Sequence, residues 1–296
     1  TGSTGNATLD NGTTVVVLGT SAASLVTSVG GDLTLTSGAA AGITDSATVS
    51  VGGNLIATTD ANSGVINLGD LEVNGTIALT TDTGGAATVV NDAGINFEAS
   101  TVRGALSATA TAGNIIDTGA LTITGTSTFV TIANDATISL DQGGHTFTGA
   151  LLITTNDASP DTAGDVTISA GSGAVLDFGN STIDGDLVAT SSNTTGIIDS
   201  GAMIVRGTAS FRTTAANADI SLGTSTLGDG TGTDTITLNT TGSGGDATLD
   251  NATTVVVLGT SAAALVTSVG GDLELRSGAA AGITDSATVT VGGDLD

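Results

Sequence analysis

Two acidic stretches and one histidine are the places where this 296-residue chain could do chemistry. Residues 229–237, "DGTGTDTIT", match the calcium-binding nonapeptide Gly-Gly-x-Gly-x-Asp-x-apolar-x except at its first position. Asp229, Asp234 and nearby backbone carbonyls would there offer oxygen to a hard cation such as Ca²⁺. Sites of that kind need consecutive copies stacked to complete the shell, and here there is one. A solvated Gly-rich turn explains the stretch without an ion. Residues 156–165, "NDASPDTAGD", gather Asp157, Asp161 and Asp165 in the longest polar insertion, at alternate spacings that could also hold Ca²⁺. On a chain of formal net charge −25, an exposed acidic loop needs no ion either. His145 is the only histidine, and there is no cysteine, so no transition-metal site can be assembled around it. It reads as structural. No Ser/His/Asp arrangement stands out in a chain so rich in Ser and Asp. Catalytic and cofactor-binding residues are therefore none, and Ca²⁺ is the one cofactor the residues suggest.

Whatever holds these side chains is built from strands. Burial must rest on Val, Leu, Ile and Ala, because the chain has five Phe and no Trp or Tyr. With 45 Gly and a single Pro, this is strand composition with frequent turns. No long stripe of helical period appears. The 29 acids face four Arg and no Lys, a surface that repels phosphate backbones and anionic lipid. Nucleic acid is not an expected partner, and no stretch is apolar enough to insert in a membrane as a helix. The chain begins at Thr1 without Met or signal peptide, as an excerpt of a longer processed protein would.

Repetition gives the architecture. Residues 1–56 return as 241–296 with nine differences, so a 240-residue unit, 1–240, is followed by the start of the next. Within the unit a landmark recurs, an apolar residue, one polar or Gly residue, then Gly. It stands at Val29, Val51, Val73, Val102, Ile123, Phe147, Ile183 and Val205, with a variant at Leu227. The intervals are 22, 22, 29, 21, 24, 36, 22 and 22, and then 42 to Val269. Period-two alternation flanks each landmark, as in "DLTLTS" and "ATVSV". The expected fold is all-β, a parallel β-helix (β-solenoid) of about 22 residues per coil, 9 to 11 coils per 240-residue repeat, running through 1–296 as one domain. If the 36- and 42-residue intervals each carry an extra coil, the unit advances about 53 Å along the axis, and otherwise about 43 Å.

Stacked coils place equivalent residues in columns, and the columns compensate in size. Leu55, Leu106 and Leu187 precede Ala57, Ala108 and Ala189 by two, whereas the small Ser127 and Ala209 precede Phe129 and Phe211. The same register sets Asp184 beside Arg206 at one exposed corner. In the first coil it points Leu33, Leu35, Val49 and Val51 inward and leaves "GITDS" as a polar corner.

Coils such as "GDLTLTSGAAAGITDSATVSVGG" and "GDLVATSSNTTGIIDSGAMIVRG" resemble those of filamentous-haemagglutinin-like adhesins and other bacterial β-strand-repeat surface proteins. The resemblance implies a right-handed parallel β-helix, export to the cell surface or medium, and service as a long fibre or adhesin shaft. It names no receptor; host or cell-surface ligands would engage regions outside this chain. The expected partners are copies of the same unit, in tandem or stacked end to end in a filament, sheath or surface layer. β-Helix enzymes that act on polysaccharides are the remote alternative. Lyases of that type need Lys or Arg, and sugar clefts favour aromatic faces; this chain has no Lys, Trp or Tyr.

Overall fold

A computed structural model of the chain describes residues 4–20, 26–157, 163–229, 233–251, 254–259 and 266–296. It falls into two compact units, Thr1–Ala133 and Asn134–Asp296. Each is a stack of parallel strands, and no helix occurs among the described residues. The coils number about 12 and recur roughly every 22 residues.

The first complete coil shows why the sequence winds this way. Strand Leu33–Ser37 alternates inward and outward, with Leu33, Leu35 and Ser37 buried or nearly so and the threonines half-exposed. It pairs in parallel with Ala7–Asn11 before it and Leu55–Thr59 after it, Leu35 lying level with Leu9 and Ala57. The chain then crosses to the opposite face as two short strands, Ile43–Asp45 and Val49–Val51. "GITDS" is thus not the polar corner its composition suggests: Ile43 is fully buried and opens a strand paired with Ile66. The turn lies one step earlier, at Gly42, whose φ of 68° and contact with the Val65 carbonyl leave no room for a Cβ.

Inside the coils, size compensation operates between layers as well as within them. In the first unit Leu106 lies level with Ser127 and Ala108 with Phe129, large over small in both columns. In the second, Leu187 meets Ala209 and Ala189 meets Phe211. All eight side chains are buried. The aromatic rings then interlock edge to face, Phe97 with Phe129 at 6.2 Å and Phe178 with Phe211 at 6.3 Å. Five Phe suffice because the layer spacing of a β-stack is filled by aliphatic residues, with rings only where a neighbour is small.

The long intervals hold half a coil more than the short ones, neither the single coil nor the whole extra coil that the 36- and 42-residue gaps allowed. In the first unit Val29, Val51 and Val73 end strands on one face, joined by the pairings of Thr27–Val29, Val49–Val51 and Ile66–Val73. After the 29-residue interval, Val102 and Ile123 end strands on the other face. In the second unit Phe147 ends a strand on one face, Ile183, Val205 and Leu227 lie on the opposite face, and Val269 is back on the first. Each reversal inserts one additional five-residue strand: Ala87–Asn91, Val166–Ala170 and Ala247–Asn251. The landmarks thereby fall into groups beginning at 29, 102, 183 and 269, each made of two short intervals and one long one.

Hydroxyl side chains make the reversals, with the same geometry each time. Two residues before the landmark, Oγ of Ser100 and Ser181 and Oγ1 of Thr267 accept the N–H of Leu79, Ile153 and Leu238 at 3.0, 3.1 and 3.3 Å. One residue after the landmark, the N–H of Arg103, Asp184 and Gly270 is donated to Oγ1 of Thr81, Thr155 and Thr240 at 2.9, 3.0 and 3.0 Å. At two reversals a buried asparagine replaces the missing continuation of the neighbouring strand. Asn91 accepts from the Val73 N–H and donates to the Val73 carbonyl, and Asn251 does the same for Leu227. One side-chain amide thus satisfies both backbone groups of a buried residue.

Candidate functional site

The structure gives the candidate acids hydrogen bonds of their own. Asp229 and Asp234 do close on each other, the Asp229 N–H donating to Asp234 Oδ2 at 3.0 Å across a turn. In the acidic insertion, Asp161 lies outside the described residues. Asp157 and Asp165 take up separate tasks. The Asp157 N–H donates to Asp184 Oδ2 at 3.2 Å, while Asp165 Oδ1 accepts the N–H of Asp186 at 2.9 Å. Among the described residues, no group of three or more His, Cys, Asp and Glu is placed to hold a metal ion.

Asp184 is the busiest of these groups. Its Oδ1 receives Arg206 Nε at 2.8 Å, the pair expected from coil register, and its backbone N–H is bonded to Thr155. Since Arg206 is 44% exposed, the ion pair contributes at most about 1 kcal/mol. Nearby, Asp135 sits at φ 64° with its N–H on the Asn156 carbonyl. A hydrogen bond with the Asp157 carboxyl holds the Asp135 carboxyl above the usual carboxylate range, and the Asp157 charge acts in the same direction. Two carboxyls sharing a proton at a solvent-exposed turn can buffer protons. His145 is fully buried and stacks on Phe147 with ring centroids 5.6 Å apart, a core residue at the end of strand Ile138–Phe147.

The largest organised use of acids was not legible as a site: a ladder at the corner just after the landmark glycines. In the first unit Asn6 Oδ1 accepts the Asp32 N–H, Asp32 Oδ1 the Asn54 N–H, and Asn54 Oδ1 the Thr76 N–H, all at 2.9 Å. In the second, Asp219, Asp246 and Asp272 accept in turn from Asp246, Asp272 and Asp294 at 3.0, 2.9 and 2.7 Å. A shorter ladder runs from Asp165 through Asp186 to the Thr208 N–H at 2.7 Å. Burial holds the Asp186 carboxyl above its ordinary value; the Asp165 charge adds to this, and the bond from Thr208 opposes it. Each rung satisfies a corner N–H that the turning backbone cannot reach. The available signal was the recurrent Asp or Asn after "GG" or "DG", which reads as turn composition until the coils are stacked.

Concave features are shallow. A cavity of about 350 Å³ in the first unit is lined by Asn74, Asn96, Asn114, glycines and aliphatic residues and carries no ionisable side chain. A smaller one, about 270 Å³, is bordered by Asp60, Asp82 and Arg103 among threonines. Neither gathers an acid–base pair against a nucleophile.

No curated protein and no solved structure matches the chain. A family described as "Repeats of unknown function (DUF5649)" matches residues 84–154 and again residues 163–226, two stretches that start 79 residues apart, within the range of 73 to 86 residues that the landmark groups span.

Proposed function

We propose that this chain is a length of extracellular fibre, the shaft of a giant repetitive adhesin or surface filament, and that it works by mechanical extension rather than by catalysis. The observation that carries the reading is the near-identical return of residues 1–56 at 241–296 in a molecule made of stacked coils. A solenoid contacts only its neighbours along the axis, so units can be added without redesigning the core. Repetition at 240 residues preserves structural positions such as Leu33 and Leu273, both buried, while it serves no single site. Four Arg, no Lys and the backbone ladder within each compact unit suit exposure to proteases and solvent outside a cell. On this reading the partners are further copies of the unit, and no cofactor is required.

The intact mass of the native protein tests the proposal. A chain of hundreds of kilodaltons is the expected result for an adhesin shaft. A subunit near 28.0 kDa that polymerises end to end supports the filament form instead. A 28.0 kDa protein that stays monomeric at high concentration overturns the fibre reading.

A further inference from the structure

One outward row of the first compact unit is hydroxyl from end to end. Parallel register sets Thr36 level with Thr58, Thr58 with Thr80, Thr80 with Thr101 and Thr101 with Thr122. Neighbouring strands lie about 4.8 Å apart, so the five threonines follow one another at that spacing. Thr80 and Thr122 are exposed and the other three half-exposed. No hydrogen bond joins these five hydroxyls to another described residue. Thr59 and Thr81, each one residue beyond a member of the row, are buried instead and donate to the carbonyls of Gly64 and Gly85 at 2.8 and 2.6 Å, which fixes the corner.

The cavity of about 270 Å³ opens beside this row, lined by Thr58 and Thr80 together with Asp60, Asp82 and Arg103. Arg103 is the one basic residue of the first unit, and it makes no ion pair among the described residues. Its backbone is held at the hollow by the bond from its N–H to Thr81 Oγ1 at 2.9 Å. The Asp60 carboxylate has no hydrogen-bond partner among the described residues, and Asp82 accepts the Thr83 N–H at 2.6 Å through Oδ1, leaving Oδ2 without one. A guanidinium only donates, a carboxylate only accepts, and a hydroxyl does both, so a neutral ligand rich in hydroxyls satisfies all three kinds of group. A polyanion would meet Asp60 and Asp82, and a metal cation would meet Arg103. A zwitterion such as an amino acid fits the hollow alone. It leaves unused the row that runs on to Thr36 and to Thr101 and Thr122.

We infer that this face binds a neutral glycan chain, with one sugar seated among Asp60, Asp82 and Arg103 and the adjoining sugars laid along the threonine row. With no Trp or Tyr to stack on a sugar ring, recognition rests on hydrogen bonds and is weak at a single site. Linked copies of such a site on a fibre would hold a long glycan together far more tightly than one does. The site itself does not depend on the fibre reading, which stands or falls by the intact mass.

The test is an NMR titration of the isotope-labelled 296-residue chain with cellohexaose, maltohexaose and chitohexaose at millimolar concentration. At least one should shift the backbone amides of Thr58, Thr80 and Arg103, and its hexasaccharide should bind more tightly than its disaccharide. Arg103→Gln, at an exposed corner, should weaken that binding about tenfold. Thr101→Val with Thr122→Val, which keeps the β-branched shape, should weaken the hexasaccharide and leave the disaccharide unchanged. Spectra of the free variants that match the parent away from the substituted residues establish that they fold. Failure of all three glycans to shift these amides overturns the inference, as does binding that Arg103→Gln leaves unchanged. Shifts at these residues produced by a heparin hexasaccharide or by alanylalanine, and not by the neutral glycans, overturn it in favour of an anion or a zwitterion.

Discussion

Residues 5–56 and 245–296 are nearly the same sequence, and within residues 1–296 they have neighbouring coils on different sides. In the first copy Leu9 is 43% exposed and Ile43 fully buried; in the second their counterparts reverse, Leu249 fully buried and Ile283 45% exposed. The cause is which side of the coil is covered. Leu249 lies between Leu222 and Leu275, whereas Leu9 pairs with Leu35 on one side. Ile43 lies between Val16 and Ile66, whereas Ile283 pairs with Val256 on one side. In a solenoid, burial is a property of the neighbouring coil as much as of the residue. A hydrophobic residue at a coil position is a statement about what should stack on it.

The comparison can be broken by paired substitutions. The largest expected difference is between Ile43→Ala and Ile283→Ala. The first should cost about 2–5 kcal/mol of unfolding free energy, as a truncation in a closed core does, and the second less than about 1 kcal/mol. Urea titrations of the two variants check this, and equal losses would mean that the edge coil is covered in solution.

Next come the matched asparagines. Asn251→Ala strands both the N–H and the carbonyl of Leu227, for an expected loss of about 1–3 kcal/mol. Asn11→Ala removes a bond to Thr14 Oγ1 in a less buried setting and should cost well under half as much. Amide hydrogen exchange at Leu227 gives a second readout, with protection lost in the Asn251 variant.

A smaller effect follows from acidity. Burial and the Asp165 charge raise the Asp186 pKa in the fold above its ordinary value of 3.8. The folded state therefore holds this proton more tightly than the unfolded chain does. Stability should fall as pH rises from the ordinary value through the raised one, then level off. Asp186→Asn keeps an Oδ1 to accept the Thr208 N–H and should remove that slope, which thermal melts between pH 3 and 7 would reveal.

The smallest effect separates the ladders themselves. Two of the nine differences between the copies fall there, turning Asn6, Asp32 and Asn54 into Asp246, Asp272 and Asp294. Asp272→Asn breaks a run of like charges and should raise the melting temperature slightly at low ionic strength, with the gain gone at high salt. Asp32→Asn, already flanked by amides, should show no such salt-dependent gain.

Much of this protein was legible in its residues. Alternation in "DLTLTS" and "ATVSV" fixed the inward sets Leu33, Leu35, Val49 and Val51, and their columns revealed the coil, because β-stacking demands that neighbours in a layer share volume. The pairing of Asp184 with Arg206 also followed from register. The acids were less legible. Asp157 and Asp165 bond to Asp184 and Asp186, 27 and 21 residues on, and the ladders through Asp32 in the first unit and through Asp246 and Asp272 in the second join residues 22 to 27 apart that no local pattern connects. The sequence alone thus determined the period, the strand faces and the repeat, since these depend on side-chain alternation along the chain. Only the tertiary structure decided which residues stack on which and that the long intervals add half a coil. Both depend on hydrogen bonds and contacts between successive turns, such as Thr81 with Arg103 or Asn251 with Leu227, and a corner has no periodicity to announce how far around the coil it carries the chain.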